Sequence, residues 1–89
     1  MTETTTIRVR YFASLREALG CSSEPAELPT GGTLADLRNQ LILRGGVHAA
    51  KLSRDQAVRV AVNQVLNEDE SVVLEGGAEV AFFPPVTGG

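Results

Sequence analysis

The chain has 89 residues and a mass of 9.4 kDa, which is the size of one small domain with room for a single core. With 43% hydrophobic residues, 21% charged residues and a mean hydropathy of +0.02, it is too apolar to stay disordered. Its net charge is −3 and its 8 basic residues are scattered along the chain, so the electrostatic footprint of a nucleic-acid or membrane-surface binder is missing.

Met1 to Thr5 reads as a loose, polar end. No basic region followed by an apolar one is present there, and no apolar run approaches ~20 residues, so neither a signal peptide nor a membrane span is expected and the location is expected to be cytoplasmic. From Thr6 to Phe12 the residues alternate, with Ile7, Val9 and Tyr11 on one face and Arg8 and Arg10 on the other, which predicts a half-buried strand. Ser14 stands three residues before Glu17, Leu15, Ala18 and Leu19 have helical spacing, and Gly20 follows. This predicts a short helix capped by Ser14 and Glu17. Cys21, the sole cysteine, cannot form an internal disulfide or by itself hold zinc or an iron–sulfur cluster. No neighbouring His or basic cluster activates its thiol, so it reads as a small apolar group.

Glu24 to Pro29 carries a proline near each end, which confines it to an edge strand or an extended connection. After the turn Thr30-Gly31-Gly32, Thr33 and Asp36 form a capping pair, and Leu34, Leu37 and Leu41 recur on one face as far as Gly45-Gly46, predicting the main amphipathic helix. From Val47 to Gln56 the pattern is mixed; His48 reads as a loop residue there and Lys51, the single lysine, as a solvated charge. Val58, Val60 and Val62 alternate with Arg59 and Ala61 in a second clear strand, Asn63-Gln64 turns the chain, and Val65-Leu66 pairs back. Val72 to Leu74 is a short apolar run, Gly76-Gly77 sits in a turn, and Glu79 to Phe83 is the last strand. Phe82 and Phe83 must face opposite ways, one into the core and one outward, where it is either covered by the protein's own loops or available for partner contact.

The order is strand, short helix, weak strand, long helix, strand, short strand, strand, which is an α+β class fold with one amphipathic helix across one face of a mixed sheet of about five strands. The ubiquitin-like β-grasp fits this best, although other small α+β arrangements share the order. Residues 1–83 are expected to form the domain and 84–89 a flexible, extended C-terminal tail.

That tail reads Pro84-Pro85-Val86-Thr87-Gly88-Gly89. Two stiff prolines lead to two residues without side chains and a free carboxylate. Six extended residues span at most ~20 Å, enough to carry Gly89 into a narrow cleft on another protein. With no Cβ on Gly88 or Gly89, an enzyme can close around the backbone and reach the terminal carbonyl carbon. A carboxylate is a poor electrophile, so its chemical use requires an acyl adenylate formed with ATP, from which a sulfur or nitrogen nucleophile displaces AMP. A frayed end would also present a diglycine, but a frayed end needs no rigid spacing residues.

The run Val58 to Gly89, within it Ala61-Val62-Asn63-Gln64 and Glu79-Val80-Ala81-Phe82-Phe83-Pro84-Pro85-Val86-Thr87-Gly88-Gly89, resembles the small, sulfur-carrier subunits of molybdopterin synthase, the MoaD family. Arg10-Tyr11-Phe12-Ala13-Ser14-Leu15-Arg16-Glu17 resembles that family's first strand and helix. The resemblance implies a β-grasp protein whose Gly89 carboxylate is adenylated by an ATP-using enzyme of the ubiquitin-activating type. A sulfur donor such as a cysteine desulfurase or a rhodanese then converts it to a thiocarboxylate. It further implies that Gly88, Thr87, Val86, Pro85, Pro84 and Phe83 dock into the large synthase subunit, which holds the catalytic side chains. Sulfur passes there to cyclic pyranopterin monophosphate, two carriers serving each dithiolene within a heterotetramer. No tightly bound cofactor and no metal are implied. The chain departs from the family in having Gly76-Gly77-Ala78 where an acidic Asp-Gly-Asp turn is common, and over Gly45 to Gln56, which reads as a loop of different length.

Three classes of function stay open on the sequence: this sulfur carrier or a relative serving thiazole synthesis or transfer-RNA thiolation, a ubiquitin-like protein modifier, and a plain interaction module. Lys51 would give a self-conjugating modifier one attachment site besides its amino terminus.

Overall fold

A computed structural model describes residues 3–85. Strand β1 (Thr4–Tyr11) buries Ile7, Val9 and Tyr11 and turns Arg8 outward, the period-two pattern of a half-buried strand. It begins before the alternation does, because Thr4 and Thr5, expected in a loose end, pair with Pro29 and Leu28 of β2 (Ser23–Pro29). It also stops one residue sooner, since Phe12 is the N-cap of helix α1 (Ala13–Leu19). The expected Ser14–Glu17 cap is thereby corrected: Ser14 lies inside the helix, and no side chain caps its start. Burial of Leu15 sets the phase of the helix. Gly20 ends it as expected, in a left-handed conformation (φ 77°) that its missing Cβ makes inexpensive, with its N–H donating to the Arg16 carbonyl.

β2 lies at the sheet edge, where its prolines cost no ladder bond that a central strand would need. Helix α2 (Leu34–Leu43) opens on the expected capping box: the Asp36 N–H donates to Thr33 Oγ1 at 3.2 Å, and the Thr33 N–H donates to Asp36 Oδ2 at 2.9 Å. Its buried residues are Leu34, Leu37, Arg38 and Leu41. A third helix, α3 (Gly46–Leu52), stands where the sequence suggested a loop. Val47 is exposed and Leu52 is the only fully buried residue of α3, so the apolar periodicity that reveals α2 is too thin to reveal α3.

Strand β3 (Arg59–Val62) turns through Asn63-Gln64 into β4 (Val65–Leu66), and β5 (Glu79–Phe83) closes the domain. Asn63 and Gln64 both have positive φ, 50° and 69°, as a two-residue hairpin turn of the favoured hand requires. Asn63 also binds the start of β5: its N–H donates to the Glu79 carbonyl at 2.7 Å, and its Oδ1 accepts the Glu79 N–H at 3.0 Å. Gly76 makes a close approach, since a Cβ there would meet Thr5 Oγ1 at 2.6 Å. The strand order is β2-β1-β5-β3-β4, with β5 parallel to β1 and antiparallel to β3. Leu15, Leu34, Leu37, Leu41 and Leu52 of the helices join Ile7, Val9, Val60, Val80 and Phe82 of the sheet in one core. This is the α+β ubiquitin-like β-grasp that the element order suggested.

The helical layer is fastened to the edge strand by a polar cluster. Glu24 of β2 accepts from Tyr11 Oη at 2.7 Å and from Arg44 at 2.5 Å, and its Oε2 lies 3.0 Å from His48 Nε2. His48 is therefore no loop residue: it sits in α3, with its ring edge-on to Tyr11. Partial burial pushes the Glu24 carboxyl up, but the bonds from Arg44, Tyr11 and His48 outweigh it and hold the group at about 2. Burial and the Glu24 carboxylate together push the Tyr11 phenol up, so it remains a donor. The stabilisation from Glu24 is complete above its ordinary value of 4.5 and is lost as pH falls toward about 2. Between those limits the protein should lose about 1–2 kcal/mol through this residue, the half-exposed Arg44 being screened by solvent. Thermal melts from pH 6 down to pH 2 check this: Glu24→Gln should be less stable than the parent at neutral pH and should lack that part of the acid slope.

Candidate functional site

The centre of the sheet builds the root of the tail. β5 is flanked on both sides, by β1 and by β3, so the strand that leads into Pro84-Pro85 is held by a ladder along each edge. Tyr11 pairs with Phe82, and Arg59 lies opposite Phe83. Phe82 is fully buried, stacked on Tyr11 at 6.2 Å between ring centroids, while Phe83 is half-exposed. The expected division of the two phenylalanines between faces is thus what the structure has. Pro84 and Pro85 follow outside the strand, partly covered. Val86, Thr87, Gly88 and Gly89, the remaining residues singled out from the sequence, lie outside the described residues.

The outer face of the sheet continues the surface around Phe83. Strand parity puts Arg8 and Arg10 of β1, Ala61 of β3 and Glu79 and Ala81 of β5 on that face. Phe12 joins them through its extended backbone (φ −125°, ψ 154°), and its N–H donates to the Phe82 carbonyl at 3.1 Å. Arg10, Phe12, Ala61, Glu79, Ala81 and Phe83 line one shallow depression. Its floor of two alanines between two phenylalanine rings is apolar, and its rim is charged. Sequence reading had flagged Phe83 alone. The signal for the others was the same alternation that placed Ile7, Val9 and Tyr11 inside, read for its opposite face.

Among the described residues the charged groups near the tail root form two surface ion pairs, Arg10 with Glu79 at 3.7 Å and Arg59 with Glu68 at 3.3 Å. Cys21 is half-buried and packs against the core, and Lys51 is exposed. Among the described residues no cluster of three or more His, Cys, Asp or Glu could hold a metal ion, and no helix is long and apolar enough to cross a membrane. What the arrangement offers is a central strand that leads into Pro84-Pro85 beside a shallow apolar depression.

Comparison with known proteins agrees with that geometry. The ThiS family model matches residues 9–89, through the last glycine. A molybdopterin synthase sulfur carrier subunit of Haemophilus influenzae is 39% identical over 83 residues, covering 93% of this chain and 99% of that protein. The small archaeal modifier protein 3 of Haloferax volcanii is 32% identical, covering 93% of this chain and 98% of that protein. A solution structure of a Haloferax volcanii protein superposes with a TM-score of 0.80 at 29% identity, covering 97% of this chain and 88% of that one. The chain belongs to the ThiS family, and the molybdopterin synthase sulfur carrier subunits are among its relatives there.

Proposed function

We propose that this chain is the sulfur carrier subunit of a molybdopterin synthase. The observation that carries the reading is the family match running unbroken to Gly89, joined to a central strand that delivers the tail from the middle of the sheet. The terminal carboxylate attacks the α-phosphorus of ATP on an activating enzyme, releasing pyrophosphate; the terminal sulfur of a donor persulfide then displaces AMP to form an acyl disulfide, and a thiol cleaves its S–S bond, leaving a thiocarboxylate on Gly89 and a disulfide on the donor side. The tail enters the large synthase subunit, whose side chains perform the catalysis, and the thiocarboxylate sulfur passes to cyclic pyranopterin monophosphate. This chain supplies reach, a bare tip and a docking face. Phe83, Pro84 and Pro85 set the exit direction, and the absence of Cβ atoms on Gly88 and Gly89 lets both active sites close on the backbone.

A second reading, a protein modifier, is favoured by the likeness to the small archaeal modifier. Both use the same terminal acyl adenylate and differ in the nucleophile. Fragment mass spectrometry of untagged protein from its native cells distinguishes them. A thiocarboxylate localised to Gly89 is the expected result, whereas a branched peptide joining Gly89 to another protein's lysine would replace the carrier reading by the modifier. An intact mass is insufficient, because exchange of oxygen for sulfur mimics oxidation of Met1 or Cys21.

A further inference from the structure

The two arginines beside Phe83 have no part in holding the core together. Arg10 is on the strand to one side of β5 and Arg59 on the strand to the other. Arg10 stands over the Phe12 ring at 5.0 Å from its centroid and 3.7 Å from Glu79. Arg59 lies directly opposite Phe83 in the ladder and reaches Glu68 at 3.3 Å, a carboxylate whose side chain is 81% exposed. Both arginine side chains are about two-fifths exposed, at 41% and 40%. Arg8 extends the same row along β1. The protein as a whole is acidic, with net charge −3, yet the face beside Phe83 carries Arg8, Arg10 and Arg59 around an apolar floor, with Glu79 as the carboxylate lining the depression.

We propose that Arg10 and Arg59 form a cationic clamp that selects the partner receiving the tail: the large-subunit surface that meets this face is apolar at its centre, to accept Phe12 and Phe83, and carries carboxylates on both sides of that centre. The proposal rests on the sulfur-carrier reading and adds to it the charge of the cognate surface. The physical grounds are three. Exposed surface pairs at 3.3 and 3.7 Å are worth little in water, so both guanidiniums can exchange their own-chain carboxylates for a partner's at small cost. The Phe12 ring holds Arg10 in place before the partner arrives, which lowers the ordering cost of docking. Cations flanking an apolar centre orient an encounter and reject surfaces of like charge, thereby fixing the direction in which the tail enters.

The test is the association rate of this protein with the large synthase subunit, measured by stopped flow across a range of salt concentrations. The parent is compared with Arg10→Gln, Arg59→Gln, the double variant and Lys51→Gln. Glutamine keeps part of the stem and removes the charge. The expected result is a fall in association rate of about tenfold at low salt for the double variant, with a shallower salt dependence and a small change for each single variant. Lys51→Gln, which removes a charge on the helical side, should leave rate and slope near the parent's. Equal rates and slopes for parent and double variant would overturn the clamp while leaving the sulfur-carrier reading intact. An effect of Lys51→Gln as large as that of either arginine would also overturn it, by showing that net charge and not this face matters. Absence of binding by the parent itself would overturn the sulfur-carrier reading and the clamp together. Melting temperatures should agree among all variants, since none of these side chains is buried.

Discussion

Removal of Gly89 is expected to abolish thiocarboxylate formation and sulfur transfer, by at least about a hundredfold, while the melting temperature stays within about 1 °C of the parent. The chemical reason is that a carboxyl remains after the deletion but in the wrong place. The chain shortens by about 3.5 Å, and reacting groups misplaced by ~1 Å already lose on the order of a hundredfold in rate. The new terminus, Gly88, would have to reach the adenylating site from a strand that cannot move, because β5 is bonded on both sides. Stability should be unaffected because, among the described residues, the buried hydrophobic core runs from Ile7 to Phe82 and is complete before Pro84. A peptide tag fused after Gly89 should cause the same loss for a different reason, since it turns the required carboxylate into an amide. Single-turnover assays with the activating enzyme and the large subunit, paired with thermal melts, check both. Sulfur transfer at the parent's rate from the shortened chain would remove Gly89 from the mechanism.

The residues that were readable from the sequence are those whose role is local or periodic. Ile7, Val9 and Tyr11 announce their strand by alternation, Thr33 and Asp36 announce the start of α2 through the capping box, and Pro25 and Pro29 place β2 at an edge. The tail was legible because the chemistry proposed for it needs no neighbours in this chain: two prolines followed by Val86, Thr87 and two glycines are read directly from the sequence. What stayed hidden depends on contacts between elements. His48 looked idle because its partners, Glu24 and Tyr11, are 24 and 37 positions away in the chain. Helix α3 was missed because one buried leucine makes no pattern. Ser14 was misread as a cap because the neighbouring Phe12, held by the Phe82 carbonyl at 3.1 Å, fixes where the helix begins. The depression beside β5 is half-legible: Phe83 stands out in the sequence, whereas Phe12, Ala61 and Ala81 join it only because the order β1-β5-β3 brings their strands together.

Arg38 is the largest instance of the same kind, and its replacement should do the greatest damage to stability. An arginine in an amphipathic helix ordinarily reads as a solvated charge, yet Arg38 is only 6% exposed. Its guanidinium donates from Nε to the Leu52 carbonyl at 2.7 Å, from one terminal nitrogen to the Ser53 carbonyl at 3.0 Å, and from the other to Glu70 Oε2 at 2.9 Å. Those two carbonyls end α3, so this one side chain fastens the third helix and the loop before β3 to the main helix, giving the Leu52 carbonyl a donor and adding a second to the Ser53 carbonyl, which also accepts the Gln56 N–H at 2.9 Å. Glu70 is held as a carboxylate: partial burial opposes its charge, but donors from Arg54 and Arg38 overcome this and keep its carboxyl below the usual range. Arg38→Ala removes all three bonds and leaves the buried Leu52 carbonyl without its donor and Glu70 with Arg54 alone, a change that costs about 3–5 kcal/mol. In a domain of this size that corresponds to a fall in melting temperature of at least about 12 °C. Arg38→Lys keeps the charge but offers a point donor where a planar fork is needed, and should fall between. Glu70→Gln should cost less than Arg38→Ala, because the arginine retains both carbonyls. Since Arg38 lies on α2, away from Phe83, sulfur transfer per folded molecule should be unchanged in every one of these variants. Denaturant melts and single-turnover assays on the same preparations separate the two effects.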